Sequence, residues 1–286
     1  MERYIDLHTH SNMSDGSMTP KELVHHAKKA GLSAISLTDH DCIDGVREAM
    51  KEGEKIGLEV VPGIEFSAKS ETETHILGFY IDIENKDILT ALEEIKRVRI
   101  ERTHETSRLL KNLGFDVSVD EVLSIAPGKI VGRAHFARIM MEKGYVSSVK
   151  EGFDLYLANG RPAYSERQHL TAKRAVQLIT GAGGLAFVAH LHLMRKSDDE
   201  LFLFIKELKK SGLSGVEGYY TEYTPEMQEK YQNLAKSLGL LISGGTDFHA
   251  EMKPHISIGT GLGNLKIPYT VLENIKKKRG YVNESE

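Results

Sequence analysis

The sequence predicts an α/β protein: a parallel sheet or barrel of alternating strands and helices, with a helical segment inserted in its middle. Three observations carry that expectation. The chain has 286 residues, a length at which one large α/β domain with an insertion is common. Short β-forming runs alternate with amphipathic stretches, as in repeated βαβ units. From about residue 87 to 165 the alternation lapses into helix after helix, and it resumes near Thr171. The expected division is therefore a barrel made of residues 1–86 and 166–286, with a helical cap subdomain at 87–165.

Taken in order, the strands are expected at 4–7, 34–37, 59–64, 75–80, 185–189, 215–218 and 240–243. The helices between them carry physical start and stop signals. Thr19 caps a helix that Pro20 opens, with Glu22 completing a capping box and Gly31 ending it. A helix from about 44 to 56 is closed by Gly57, and Thr224-Pro225 opens one that Gly239 closes. In the insertion, Ile88, Leu92 and Ile95 and then Leu109, Leu110 and Leu113 keep helical spacing before Gly114. Ser118 with Glu121 forms a second capping box, and a further helix runs from 132 to 143, ending at Gly144.

Composition narrows the function. Apolar residues make up 40% and charged residues 27%, a balance that supports a packed core. The formal net charge of -4 gives no global positive field, so any affinity for phosphate must be local. With no basic helix, double-stranded DNA is not an expected partner, and Lys276-Lys277-Lys278-Arg279 reads as a solvated helix end. The single cysteine, Cys42, rules out an intrachain disulfide, fits a reducing compartment and reads as inert packing. There is no long apolar segment and no basic leader, so a cytoplasmic protein that does not enter membranes is expected.

The chemistry is carried by histidines and carboxylates at strand ends. His8 and His10 stand two apart at the end of the first strand, so both rings project from one face towards one point. Alone, such a pair is as well explained by a surface hydrogen bond. The other strands repeat the signal: Asp39 and His40 follow the second, Glu65 the third, His190 the fifth, and Asp247 with His249 the last, while His75 opens the fourth. In parallel β/α folds the carboxyl ends of the strands meet at a common face where sites are built. His25, His26, His104, His169 and His255 lack this placement and read as surface or core histidines; His192 could share the face of His190. Nitrogen and carboxylate ligands without thiolate favour Mn²⁺, Fe²⁺ or Zn²⁺ over Ca²⁺ or Mg²⁺. So many candidate ligands exceed the needs of one ion, which implies two or three divalent cations.

The segments His8-Thr9-His10 with Ser14-Asp15-Gly16, Thr38-Asp39-His40-Asp41, Gly63-Ile64-Glu65, Ala189-His190 and Gly245-Thr246-Asp247-Phe248-His249 together resemble the PHP (polymerase and histidinol phosphatase) family over nearly the whole chain. The resemblance implies a distorted (β/α)₇ barrel and a metal-dependent phosphoesterase. It implies one ion held by His8, His10, Glu65 and Asp247, a second by Glu65, His75 and His190 with Glu65 bridging, and a third by Asp15, His40 and His249. Mn²⁺ is the favoured ion, and Glu65, Asp247 and His249 are the catalytic candidates. Leu191 and then His192 stand where many relatives have proline.

Gly132-Arg133-Ala134-His135-Phe136-Ala137-Arg138, Pro162-Ala163-Tyr164 and Ala182-Gly183-Gly184 further resemble the branch that removes the 3′-phosphate of nucleoside 3′,5′-bisphosphates or trims short RNA from the 5′ end. The expected partner is thus a small phosphorylated nucleotide or a short RNA end, attacked by metal-activated hydroxide. Arg133 with His135 is the candidate phosphate grip; an arginine at a helix start is otherwise usually solvated. Arg138 and Arg195 are weaker candidates, and Asp6, Asp39 and Asp41 either orient histidines or end strands and cap turns. A histidinol-phosphate phosphatase and a non-catalytic nucleotide-binding module remain as alternatives. The oligomeric state is not encoded in any of these features.

Overall fold

The computed structural model describes residues 2–70, 72–125, 132–165 and 170–280. These pack as two compact units, one formed by the chain up to Leu89 and from Leu170 onward, the other by the segment between. The first unit contains β1 (Ile5–Thr9), α1 (Pro20–Lys29), β2 (Ala34–Leu37), α2 (Val46–Ile56), β3 (Glu59–Ser67), β4 (His75–Phe79) and the start of α3 (Lys86–Asn112). The second holds the rest of α3 with α4 (Val119–Ser124), α5 (Arg133–Glu142) and α6 (Val149–Gly152). The first unit resumes with α7 (Ala172–Gly181), β5 (Leu185–Val188), α8 (Asp198–Lys210), β6 (Leu213–Tyr220), α9 (Pro225–Ser237), β7 (Leu241–Gly245) and α10 (Thr270–Arg279).

The helix signals act as the sequence implies. The Thr19 and Ser118 side chains accept from the backbone N–H groups of Glu22 and Glu121, and both glutamates reach back to close capping boxes. Gly57, Gly114, Gly144 and Gly239 all take positive φ just after their helices, a conformation in which glycine carries no side-chain penalty. None of the described helices is long and apolar enough to cross a membrane.

The seven strands form one sheet in sequence order. Pairing is parallel from β1 to β3 and from β5 to β7, but β4 runs antiparallel to both neighbours. An all-parallel sheet is therefore corrected at β4. Only seven residues, 68–74, join β3 to β4, too few for the crossover helix that a parallel pair needs. β1 and β7 come together through His10 N–H to Phe248 O at 2.9 Å and Phe248 N–H to His8 O at 3.3 Å, which brings the sheet close to a closed barrel and removes most of its exposed edge. Gly245 makes this approach possible: a Cβ there would stand 2.2 Å from His8 Cβ and 2.4 Å from His8 N.

Inside the first unit, Ile5, Leu7, Val61, Leu77, Phe79 and Phe187 form an apolar cluster with Leu272 and Ile275 of α10. The second unit has its own core, built on Leu110, Val122, Phe136, Met140 and Leu157. β3 runs on to Ser67 and β6 spans Leu213–Tyr220, both longer than their apolar runs, because Glu65 and Glu217 interrupt the hydrophobic pattern yet are fully buried. Cys42 takes no part in this polar chemistry; burial pushes its thiol up to about 12, leaving almost no thiolate at neutral pH.

Candidate metal centre

Because β4 is antiparallel, its first residue, His75, lies at the same end of the sheet as the carboxyl ends of the other strands. Short connections fix the neighbouring side chains. Strand alternation sends Ile5 and Leu7 of β1 into the apolar cluster and His8, with His10 beyond it, to the opposite face. His40 bridges to Glu65 in the sheet pattern, and Asp15 comes from the loop after β1. Asp41, His190 and Asp247 hold positive φ values of 48°, 24° and 56°. Such conformations cost about 1–3 kcal/mol each and survive only where surrounding contacts impose them.

The ligand atoms form three overlapping clusters, which draw on four groups among the described residues whose atoms lie within 4.8 Å of one another: His8, His10, Glu65 and Asp247; His40, Glu65 and His75; Glu73, His75 and His190; and His10, Asp15, His40 and His249. In the first, His8 Nε2 is 3.3 Å from Glu65 Oε2 and 3.5 Å from Asp247 Oδ1, and His10 Nε2 is 3.3 Å and 3.1 Å from the same oxygens. In the second, Glu65 Oε1, His75 Nδ1 and His190 Nε2 form a triangle with edges of 3.0 to 3.1 Å; His40 Nδ1 approaches the other Glu65 oxygen at 3.0 Å. In the third, Asp15 lies 3.2 Å from His249 Nε2 and 3.8 Å from both His40 Nε2 and His10 Nδ1. Atoms spaced in this way can all stand about 2 Å from a shared point, as ligands of a divalent cation do.

The donor set fits cations for a second reason. His8 Nε2, both nitrogens of His10, His40 Nδ1 and Glu65 Oε2 are buried and make no hydrogen bond. Each orphaned buried polar atom is unfavourable by about 1–3 kcal/mol, and here they converge instead of scattering. The other sides of several ligands are tied down. His8 Nδ1 lies 2.9 Å from Glu217 Oε1 and His249 Nδ1 lies 2.7 Å from the Asp247 carbonyl. A carboxylate oxygen and a carbonyl can only accept, so in the neutral form of each ring Nδ1 carries the hydrogen and Nε2 presents a lone pair.

The electrostatics agree. Burial opposes charge on Glu65, Asp247 and Asp15, yet the surrounding imidazoles, His40 and His8 foremost, hold all three carboxyls well below the usual range. Burial likewise opposes the charged form of His10, but the Asp247 and Glu65 carboxylates beside it raise it to about 9. His40, dominated by burial, falls to about 3. Without cations the pocket therefore keeps ionised carboxylates and attracts protons, the condition of a site built for positive charge.

Residues 6–258 match the PHP domain. The chain belongs to the PHP family. A 5′-3′ exoribonuclease from Haemophilus influenzae is 32% identical over 250 residues, covering 87% of this chain and 91% of that protein. A 3′,5′-nucleoside bisphosphate phosphatase from Chromobacterium violaceum is 32% identical over 248 residues, covering 86% and 87%. Among solved structures, a Bifidobacterium adolescentis protein assigned as a metal-dependent phosphoesterase superposes with a TM-score of 0.82 at 28% identity, over 99% of this chain and 98% of that one. This PHP protein is accordingly a metal-dependent phosphoesterase, a hydrolase, on the (β/α)₇ barrel that its motifs imply.

The eight candidates singled out from strand ends in this PHP chain, His8, His10, His40, Glu65, His75, His190, Asp247 and His249, and Asp15, which the resemblance alone implied, fall into the groups above. His25, His26, His104 and His255 fall into none, and His169 lies outside the described residues. His192 turns away to Glu222 at 3.0 Å. Asp6, Asp39 and Asp41 brace loops and turns. Asp6 accepts from Thr246 and Gly259 N–H, Asp39 from Ser11 and Ser14, and Asp41 from Ser67 N–H.

In the second unit, Arg133 donates to the Leu157 carbonyl at 3.1 Å and lies over the Tyr164 ring, while His135 Nδ1 accepts from Gly132 N–H at 3.1 Å. Arg138 pairs with Glu142 one turn on. Sequence reasoning missed Glu217, Tyr220 and Lys253. Glu217 Oε2 also accepts His190 N–H at 2.7 Å, and Asp247 Oδ2 takes both Tyr220 OH at 3.0 Å and Lys253 Nζ at 2.6 Å. A glutamate inside the otherwise apolar β6 was the available signal for the first.

Proposed function

We propose that the protein is a phosphatase of small nucleotides that releases the 3′-phosphate of nucleoside 3′,5′-bisphosphates and also acts on short 5′-phosphorylated RNA. The observation that carries this reading is the convergence of buried imidazole nitrogens and Glu65 Oε2, all without hydrogen bonds, on one multinuclear pocket. The relatives that act on such substrates cover most of the chain.

In this reading His8, His10, Glu65 and Asp247 hold one divalent cation and Glu65, His75 and His190 a second. Asp15, His40 and His249 take a third where it is present, and Mn²⁺ is the favoured ion. Bound there, the cations supply Lewis acidity and lower the pKa of coordinated water from about 16 towards about 7. The residues do the rest. Glu65 serves two groups, because its Oε2 faces His8 and His10 while its Oε1 faces His75 and His190. Asp247 and His249 complete the catalytic set, with the Asp247 carbonyl fixing the His249 ring. In the second unit Arg133, whose guanidinium has N–H groups beyond the one used by Leu157, and His135 are the candidate phosphate contacts of this reading. A cytoplasmic location belongs to the same reading.

The test is phosphate release from 3′,5′-bisphosphates, short 5′-phosphorylated RNA and histidinol phosphate, side by side with Mn²⁺. Preference for nucleotides is expected. Faster turnover of histidinol phosphate would replace this assignment, and absence of turnover with every metal would leave a binding module.

A further inference from the structure

We propose that Lys253 is a substrate contact of the cation centre, an ammonium group that grips a phosphoryl oxygen of the ester. The idea rests on the phosphoesterase reading above and adds a residue that the metal-ligand pattern does not contain. Lys253 follows a single 3₁₀ turn, Ala250–Met252, that starts directly after His249. Its backbone N–H bonds the Ala250 carbonyl at 3.1 Å. The loop that delivers two ligands thus also delivers this ammonium.

Its contacts distinguish a substrate role from a merely supporting one. Nζ lies 2.6 Å from Asp247 Oδ2, the oxygen that points away from His10. Tyr220, which is buried, already donates to that oxygen at 3.0 Å, so Asp247 keeps an orienting partner without the lysine. An ammonium has three N–H groups, and Asp247 engages one. About a third of the side chain, 36%, is open to solvent, against 8% for Asp247 and 4% for His249. Lys253 therefore stands at the rim, between the enclosed ligands and the solvent from which an ester arrives. A phosphoryl group entering beside Asp15, Glu65 and Asp247 meets three carboxylates, and a mobile point charge on a flexible stem is suited to offset that repulsion. Were Lys253 only a partly exposed partner of Asp247, its loss would change little.

The experiment compares the parent protein with Lys253→Met and Lys253→Arg after loading with Mn²⁺. It measures inorganic phosphate binding by calorimetry at fixed ionic strength, bound metal by elemental analysis, and KM and kcat on a 3′,5′-bisphosphate. Lys253→Met should weaken phosphate binding by about tenfold to a hundredfold, the worth of a charge-assisted hydrogen bond, with metal content unchanged. Lys253→Arg should restore most of that binding. Equal phosphate affinity in Lys253→Met and the parent would overturn the proposal. So would loss of metal in step with phosphate, which would make Lys253 a support of Asp247. If the parent hydrolyses no ester, the phosphatase reading fails by itself, and the phosphate-binding comparison still decides on Lys253.

Discussion

Glu217 Oε1 stands 2.9 Å from His8 Nδ1, with both side chains fully buried, and this contact decides which nitrogen of His8 faces the pocket. The second oxygen of the same carboxylate accepts the backbone N–H of His190, whose φ of 24° needs such a restraint. Glu217→Gln should fold, but its amide can offer a donor to Nδ1 and so unsettle the tautomer. Affinity for Mn²⁺ should fall by about tenfold to a hundredfold, as is usual when the partner of a ligating histidine is lost. Titration of metal-free protein would measure it, and unchanged affinity would remove Glu217 from the centre.

Chelation gives a second expectation. Stripping cations should abolish phosphate release and lower the thermal midpoint. Ligands present at a hundred times their dissociation constant stabilise by about 2.7 kcal/mol, which is a shift of several degrees for a protein of this size. Returning Mn²⁺ should restore both. The same loss should appear in Glu65→Ala, which removes the atoms shared by two groups, and calorimetry with bound-metal analysis would check it.

The pH dependence arises from the protons that the empty pocket holds. His10, raised to about 9 by Asp247 and Glu65 against the effect of burial, stabilises the metal-free fold fully below about 6.5, its unfolded value. That contribution is lost as pH rises through about 9. His40, lowered to about 3 by burial, acts oppositely: the unfolded chain binds its proton more readily, so stability falls as pH drops from about 6.5 towards 3. Cations must displace the His10 proton, so apparent Mn²⁺ affinity should rise with pH up to about 9. Binding heats at pH 7 in buffers of different ionisation enthalpy should show proton release; no release would contradict the raised His10.

Gly245 is the closest approach of β7 to β1. Placing a Cβ there drives it to 2.2 Å from His8 Cβ and against the His8 backbone, neither of which is a flexible side-chain end. Gly245→Ala should therefore destabilise by about 1–3 kcal/mol or more and displace His8. Urea denaturation with metal titration would separate the two effects, and a variant with parental stability and metal affinity would show that the strands can part at no cost.

How much of the fold and the centre is legible in the sequence depends on the signal involved. Capping residues, terminating glycines and the seven β-forming runs are local, because each depends on hydrogen bonds or backbone freedom within a few residues. Eight of the nine ligand types are legible for the same reason, each standing beside an apolar run that ends at the sheet rim; Asp15, in the loop after β1, is reached only through the family resemblance. Glu217 is not, since its strand continues on both sides of it and its partners, His8 and His190, are distant along the chain. Lys253 and Tyr220 are hidden in the same way, meeting Asp247 only in the folded barrel.

By itself, then, the sequence determined the α/β alternation, the helix ends and the identity of the ligand side chains, all set by local pattern and residue chemistry. The tertiary structure alone decided that β4 turns back to bring His75 to the ligand rim, and that Glu217 of β6 lies against His8 of β1. It also decided which nitrogen each ring presents. Strand direction, register and ring tautomer depend on contacts between segments far apart in the chain, which no local pattern records.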